Sequence, residues 1–167
     1  TALLRAVWYP TTVATVSYQC KQVIARYLAA TADSMDGLLF KLHDFGARGA
    51  SSEETAALGG MAHLVNFMGS DTVNAIVAAR RYYQEPMAGF SIPAAEHSTI
   101  TSWGRDGEKD AYANMLKQSG GEGKLVAVVS DSYDLWNAID NLWGDELRDA
   151  VINSGGTLVI RPDSGDP

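Results

Sequence analysis

Residues capable of chemistry cluster at five places in this 167-residue sequence, each at the end of an apolar run. They are Asp44, Phe45 and Arg48; Asp71; Glu96 and His97; Ser130 and Asp131; and Arg161 and Asp163. Arginine offers a planar donor fork that matches phosphate oxygens. A histidine where a helix begins lies near backbone N–H groups that favour negative charge. Asp131 and Asp163 suit a magnesium ion that is itself bound to phosphate. The mixture favours phosphate-ester or pyrophosphate chemistry, while neither a GxGxxG after the first strand nor a P-loop is present. Each residue also has a plainer reading. Asp71 and Asp131 suit helix caps, Phe45 suits a core, and a lone histidine more often makes a structural hydrogen bond than reacts. His43 and His63 fall within or beside apolar runs and read as structural.

The elements that must position these residues follow from hydrophobic period. Val13, Val16, Cys20, Val23, Ile24, Tyr27 and Leu28 recur at helical spacing and predict a helix from Thr12 to Ala30. Leu38 to Asp44 reads as a largely buried strand. Ser51-Ser52-Glu53-Glu54 has the spacing of a capping box, predicting a short helix to about Leu58 that Gly59-Gly60 either ends or lets pack closely. Ala62 to Phe67 reads as a second strand, and Asp71 is placed to cap a helix from Thr72 to Tyr83. Gly89 to Pro93 is the third strand, with helices following from Glu96 to Trp103 and Glu108 to Gln118. Leu125 to Val129 is the clearest strand. Helices from Tyr133 to Leu142 and Asp145 to Asn153 lead to the fifth, Thr157 to Ile160. Continuously apolar strands alternating with helices predict an α/β fold with a parallel sheet covered on both faces. In a closed parallel barrel all five polar endings rise on one face. A full eight-stranded barrel takes about 250 residues, so this chain is expected to supply one partial α/β-barrel domain over residues 1–167.

The formal charge of −7, with acids and bases interspersed, argues against nucleic acid as a partner. Cys20 is the single cysteine, which excludes an internal disulfide and a cysteine-rich zinc site and favours a reducing cytoplasm. No apolar run approaches the roughly 20 residues of a membrane span. The chain starts at Thr1 and closes on Arg161-Pro162-Asp163-Ser164-Gly165-Asp166-Pro167, which reads as an excerpt of a longer protein.

Five motifs carry a family resemblance: Lys41-Leu42-His43-Asp44-Phe45-Gly46-Ala47-Arg48-Gly49, Gly69-Ser70-Asp71-Thr72, Pro93-Ala94-Ala95-Glu96-His97-Ser98-Thr99-Ile100, Val129-Ser130-Asp131-Ser132-Tyr133-Asp134 and Ile160-Arg161-Pro162-Asp163-Ser164-Gly165. In this order they closely resemble the nicotinamide phosphoribosyltransferases, from Trp8-Tyr9-Pro10 to the last residue. Relative to that family the chain reads as the middle third, truncated at both ends. The resemblance implies an enzyme of the type II phosphoribosyltransferase barrel kind. Such enzymes make nicotinamide mononucleotide and pyrophosphate from nicotinamide and phosphoribosyl pyrophosphate in NAD salvage.

Residue by residue, Phe45 matches the aromatic that stacks on the pyridine ring, and Asp71 the acid that accepts a hydrogen bond from the carboxamide and repels nicotinate. Arg161 matches an arginine near base and ribose, Asp163 an acid at ribose and metal, Arg48 a pyrophosphate contact, and Asp131 a second magnesium ligand. Ala94 and Ser130 fall among the substrate-binding positions. His97 matches the histidine that ATP phosphorylates, with Glu96 expected to orient its ring by adjacency. Ala47 stands where relatives carry a tyrosine and Ala127 where they carry a pocket-lining serine. The family site is shared across a homodimer, so the segment alone is expected to be inactive. Two alternatives stand beside this reading: a nicotinate phosphoribosyltransferase, against which Asp71 argues, and a non-catalytic fragment or binding module.

Overall fold

Helices and parallel strands alternate along the chain, as the hydrophobic runs predict. The computed structural model describes residues 1–165, which group into two compact units, Thr1–Ser91 and the part from Ile92 onward. No helix of the described residues is long and apolar enough to cross a membrane.

The first unit opens with a π-helical turn, Leu4–Trp8, that runs into α1 (Tyr9–Thr31). Pro10 lies in the first turn of α1, where a missing N–H costs nothing. The helix therefore extends past both ends of the predicted Thr12–Ala30. The predicted strand Leu38–Asp44 shrinks to β1 (His43–Asp44), because Leu38–Phe40 close a 3-10 turn. The run stays largely exposed; Phe40 meets Phe90 edge-on, with ring centroids 6.1 Å apart.

α2 (Glu53–Leu64) starts one residue later than the predicted capping box, at Ser52, whose hydroxyl accepts from the Thr55 amide at 3.1 Å. It does not stop at Gly59-Gly60. A side chain at Gly59 would overlap the Tyr9 hydroxyl, and one at Gly60 the Ala75 methyl. The two glycines thus let α2 approach α1 on one side and α3 (Val73–Tyr83) on the other. This continuation consumes the first half of the predicted Ala62–Phe67 strand, which is correspondingly absent, and β2 is Gly69–Ser70. β1 and β2 pair in parallel, His43 opposite Gly69 and Asp44 opposite Ser70, and Phe90 adds one parallel bridge to Gly69. Buried hydrophobic positions in this unit are alanines, Ala56, Ala62, Ala75, Ala78 and Ala79, around a single large ring, Phe67.

In the second unit β3 (Leu125–Val129) and β4 (Thr157–Arg161) pair in parallel over their full length. Along the other edge of β3, Ala127 bonds to the Pro93 carbonyl and Ala95 to the Ala127 carbonyl, each at 2.9 Å. The predicted third strand, Gly89–Pro93, is accordingly reduced to isolated bridges at Phe90 and Ala94. The helices are α4 (His97–Thr101), α5 (Glu108–Ser119), α6 (Leu135–Asn137) and α7 (Arg148–Ser154). α6 continues as a π-helical stretch, Ala138–Glu146, so the two helices predicted between Tyr133 and Asn153 abut with hardly a break. Ile100, Tyr112, Met115, Leu116, Val126, Val128, Val129 and Trp143 join in one apolar core under the sheet.

Candidate active site

The ends of β3 and β4 and the start of α4 bring His97, Asp131, Arg161 and Asp163 together in the second unit. Asp131 is the organising group. One of its oxygens lies 2.8 Å from His97 Nε2, and the other accepts the backbone amides of Asp163 at 2.8 Å and Ser164 at 2.6 Å. Its side chain is only 7% exposed. Burial alone pushes this carboxyl up; the Asp163 and Ser164 amides and the His97 ring outweigh burial and hold its pKa down at about 2. A carboxylate only accepts hydrogen bonds, so in the neutral ring Nε2 carries the proton and Nδ1 presents its lone pair.

Nδ1 lies 3.7 Å from an Asp163 oxygen and 3.8 Å from Glu96 Oε1. Glu96, expected to orient the imidazole, is thus beyond hydrogen-bond reach, and Asp131 has that geometry instead. Glu96 caps α4, in a reciprocal arrangement with Thr99 that engages the backbone N–H groups of Thr99 and Glu96.

Arg161 anchors on the Ala95 carbonyl at 2.9 Å and lies 3.5 Å from an Asp163 oxygen, while its buried Nε has no partner among the described residues. Ala94 is exposed at its bridge to β3. Ser130 is fully buried; its hydroxyl donates to the Val128 carbonyl and accepts from Trp143 Nε1. Among the described residues, no group of three or more His, Cys, Asp or Glu is arranged to hold a metal. Asp131 spends three of its roughly four lone-pair sites on protein donors, so of the two expected metal ligands Asp163 is the less engaged.

The first unit carries a second cluster. Phe45, 42% exposed, packs against the His43 ring at a centroid separation of 4.5 Å and a tilt of 36°. His43 Nε2 is 3.3 Å from Asp71 Oδ1, to which the Ser91 hydroxyl also donates. Asp71 does not cap α3; that position is Thr72, which makes no side-chain cap. Arg48 sits in an exposed 3-10 turn, Gly46–Gly49, directly after Phe45. A cavity of about 330 Å³ opens beside Phe45 and His43, lined also by Tyr9, Asp44, His63 and Thr72. His43 and Ser91 were not singled out by sequence. His43 lies two residues from Phe45, and because strand side chains alternate, i and i+2 share a face; that spacing was the available signal.

The signature of the nicotinate phosphoribosyltransferase (NAPRTase) family matches residues 40–167. The chain belongs to this family. Among curated relatives it is 64% identical, over 99% of its length, to a nicotinamide phosphoribosyltransferase of Xanthomonas campestris pv. campestris, covering 36% of that protein. It is 37% identical over 99% of its length to the Mycoplasma pneumoniae protein of the same name, and 32% over its whole length to that of Acinetobacter baylyi, covering 34% of each. The chain thus spans about a third of the length of these relatives.

Proposed function

We propose that this segment forms part of the active site of an enzyme that transfers a phosphoribosyl group from phosphoribosyl pyrophosphate to nicotinamide, releasing pyrophosphate. The observation that carries the choice of base is the Phe45–His43–Asp71 group. An exposed aromatic face suits a flat pyridine ring. A carboxylate close by accepts a carboxamide N–H and repels a carboxylate. The adjoining cavity falls at the small end of ligand-site volumes. The family description favours nicotinate as a second reading, and Asp71 opposes it.

The test is a chimera in which this segment replaces its counterpart in the 64%-identical relative. It is expected to prefer nicotinamide over nicotinate in kcat/KM. Asp71→Asn is expected to narrow that preference by ten-fold or more, since a buried or shielded charged hydrogen bond contributes about 1.5–3 kcal/mol. Preference for nicotinate in the parent chimera would overturn the reading.

His97 is proposed as the group that ATP phosphorylates. With Nε2–H held by Asp131, the Nδ1 lone pair attacks the γ-phosphorus; the Nδ1–P bond forms, the bond to the bridging oxygen breaks, and ADP leaves. The Nε2 proton stays opposite Asp131, whose charge stabilises the cationic ring that results. Arg161 would face ribose or pyrophosphate, with Arg48 supplying a further phosphate contact. Magnesium, when bound with the phosphates, would supply charge neutralisation; Asp163, and Asp131 through the lone pair left on the oxygen facing His97, would be its ligands from this chain. We further infer that the parallel strands belong to a larger barrel completed by other segments, and that the full site is shared in a homodimer. Phosphate transfer from labelled ATP is expected to yield acid-labile phosphohistidine on Nδ1, absent in His97→Ala. Phosphate persisting in that variant, or lying on Nε2, would sink the assignment.

A further inference from the structure

A polar chain runs through the core of the second unit and ends next to Asp131. Glu108, at the first position of α5, is 4% exposed and accepts the Tyr112 hydroxyl at 2.8 Å. The Tyr112 ring, fully buried, stacks on Trp143 with centroids 4.6 Å apart and planes within 9°. Trp143, 4% exposed, donates its indole N–H to the Ser130 hydroxyl at 3.1 Å. Ser130 is the last residue before Asp131, and its own amide donates to the Arg161 carbonyl at 3.0 Å, a rung that ties the end of β3 to the end of β4.

Packing alone does not call for these groups. The surrounding core is aliphatic, and a phenylalanine or leucine at each position would fill it without polar atoms that must be satisfied. Burial raises the Glu108 carboxyl above its ordinary range, so an ionised carboxylate kept here works against stability. The shared product of Glu108 and Tyr112 is a fixed indole. Trp143 lies in the π-helical stretch, a geometry that recurs at functional sites. At the far end, Asp131 must address His97 and two backbone amides at once, and a small rotation of the strand end would break that three-way contact. The Ser130 hydroxyl is the side-chain hold nearest to that point.

We propose that Trp143 is a positioning residue of the His97 site: its indole N–H fixes Ser130 and so sets the strand end from which Asp131 reaches the imidazole. For catalysis this rests on His97 being the reactive group; for geometry it does not.

The experiment uses Trp143→Phe, which keeps a ring against Tyr112 and removes the donor. Long-range proton–nitrogen spectra of the His97 ring, recorded on the chain at one pH, are expected to change from a single Nε2–H tautomer to an average of both. Glu108→Ala keeps the stack, the indole donor and the Tyr112 hydroxyl beside Ser130 while depriving that hydroxyl of its carboxylate. It is expected to lower Tm without altering the His97 signals. A Trp143→Phe spectrum identical to the parent at His97, with only Tm reduced, would overturn the proposal and leave Trp143 a packing residue. Should that variant fail to fold, Ser130→Ala removes the same bond from the acceptor side and is expected to give the same tautomer change; unchanged His97 signals there would equally overturn it. In the chimera, the initial rate of His97 labelling by ATP should fall about ten-fold with Trp143→Phe. If the parent takes no label, the phosphorylation reading fails, and the nitrogen spectra still decide the positioning role.

Discussion

Asp71 and Asp131 both stand after a parallel strand and both face a histidine, yet the two units hold them differently. Asp71 is 40% exposed, lies 3.3 Å from its histidine, and is met by the side chains of His43 and Ser91. Asp131 is 7% exposed, lies 2.8 Å from its histidine, and is held by two main-chain amides as well. The surroundings match: small alanines and one phenylalanine in the first unit, a continuous aliphatic and aromatic core in the second. A carboxylate met by mobile side chains can follow a ligand, whereas one tied to backbone keeps its direction. The first arrangement suits reading a base and the second suits aligning a nucleophilic nitrogen.

The contrast breaks if removing the two carboxylates costs the same. Asp131→Ala is expected to destabilise the chain by about 3 kcal/mol in urea titration, because it strips a charged acceptor from two amides and an imidazole. Acid gives the next effect. The Asp131 carboxyl is lowered in the folded state from 3.8 to about 2, so the folded chain binds this proton less readily than the unfolded chain. Its contribution is therefore complete above about pH 4 and disappears as pH falls toward 2, about 2 kcal/mol in all. Unfolding midpoints across that window should show the loss in the parent and not in Asp131→Asn. The smallest effect falls on Asp71→Asn, expected within about 0.5 kcal/mol of the parent in the same titration because the group is partly solvated. A cost above 2 kcal/mol there would erase the distinction between the two clusters.

Legibility in the sequence follows the same division. Leu125–Val129 and Thr157–Arg161 are long enough, and apolar enough, for their type to be read directly, and both formed in the expected parallel sense. The first-unit strands were overread because a short apolar run has no period of its own: Leu38–Leu42 became a turn that leaves Leu39 and Phe40 exposed, and Ala62–Phe67 a helix end and turn that buries Phe67. The Gly59-Gly60 pair decided that contest through contacts with Tyr9 and Ala75, residues 50 and 15 positions away, which no local pattern encodes. At the site, residue types told that His97 and Asp131 both stand at strand ends. That Asp131 is bound by the amides of residues 163 and 164 was not legible, because a main-chain donor looks the same in every residue. Trp143, one of four tryptophans, carries no signal of its role in the sequence for a similar reason: its single N–H matters only through where it points.

The bonds that close the His97 site also carry a timetable. They join residues 32 to 34 positions apart, and Arg161 reaches back 66 positions to Ala95. Contacts this distant along a chain form after local ones, and synthesis proceeds from the N-terminal side. A ribosome that has delivered β3 but not residue 164 carries an imidazole and a carboxylate whose fixing amides do not yet exist. The nascent segment therefore has its local helices before Asp131 has the main-chain donors that fix its direction toward His97.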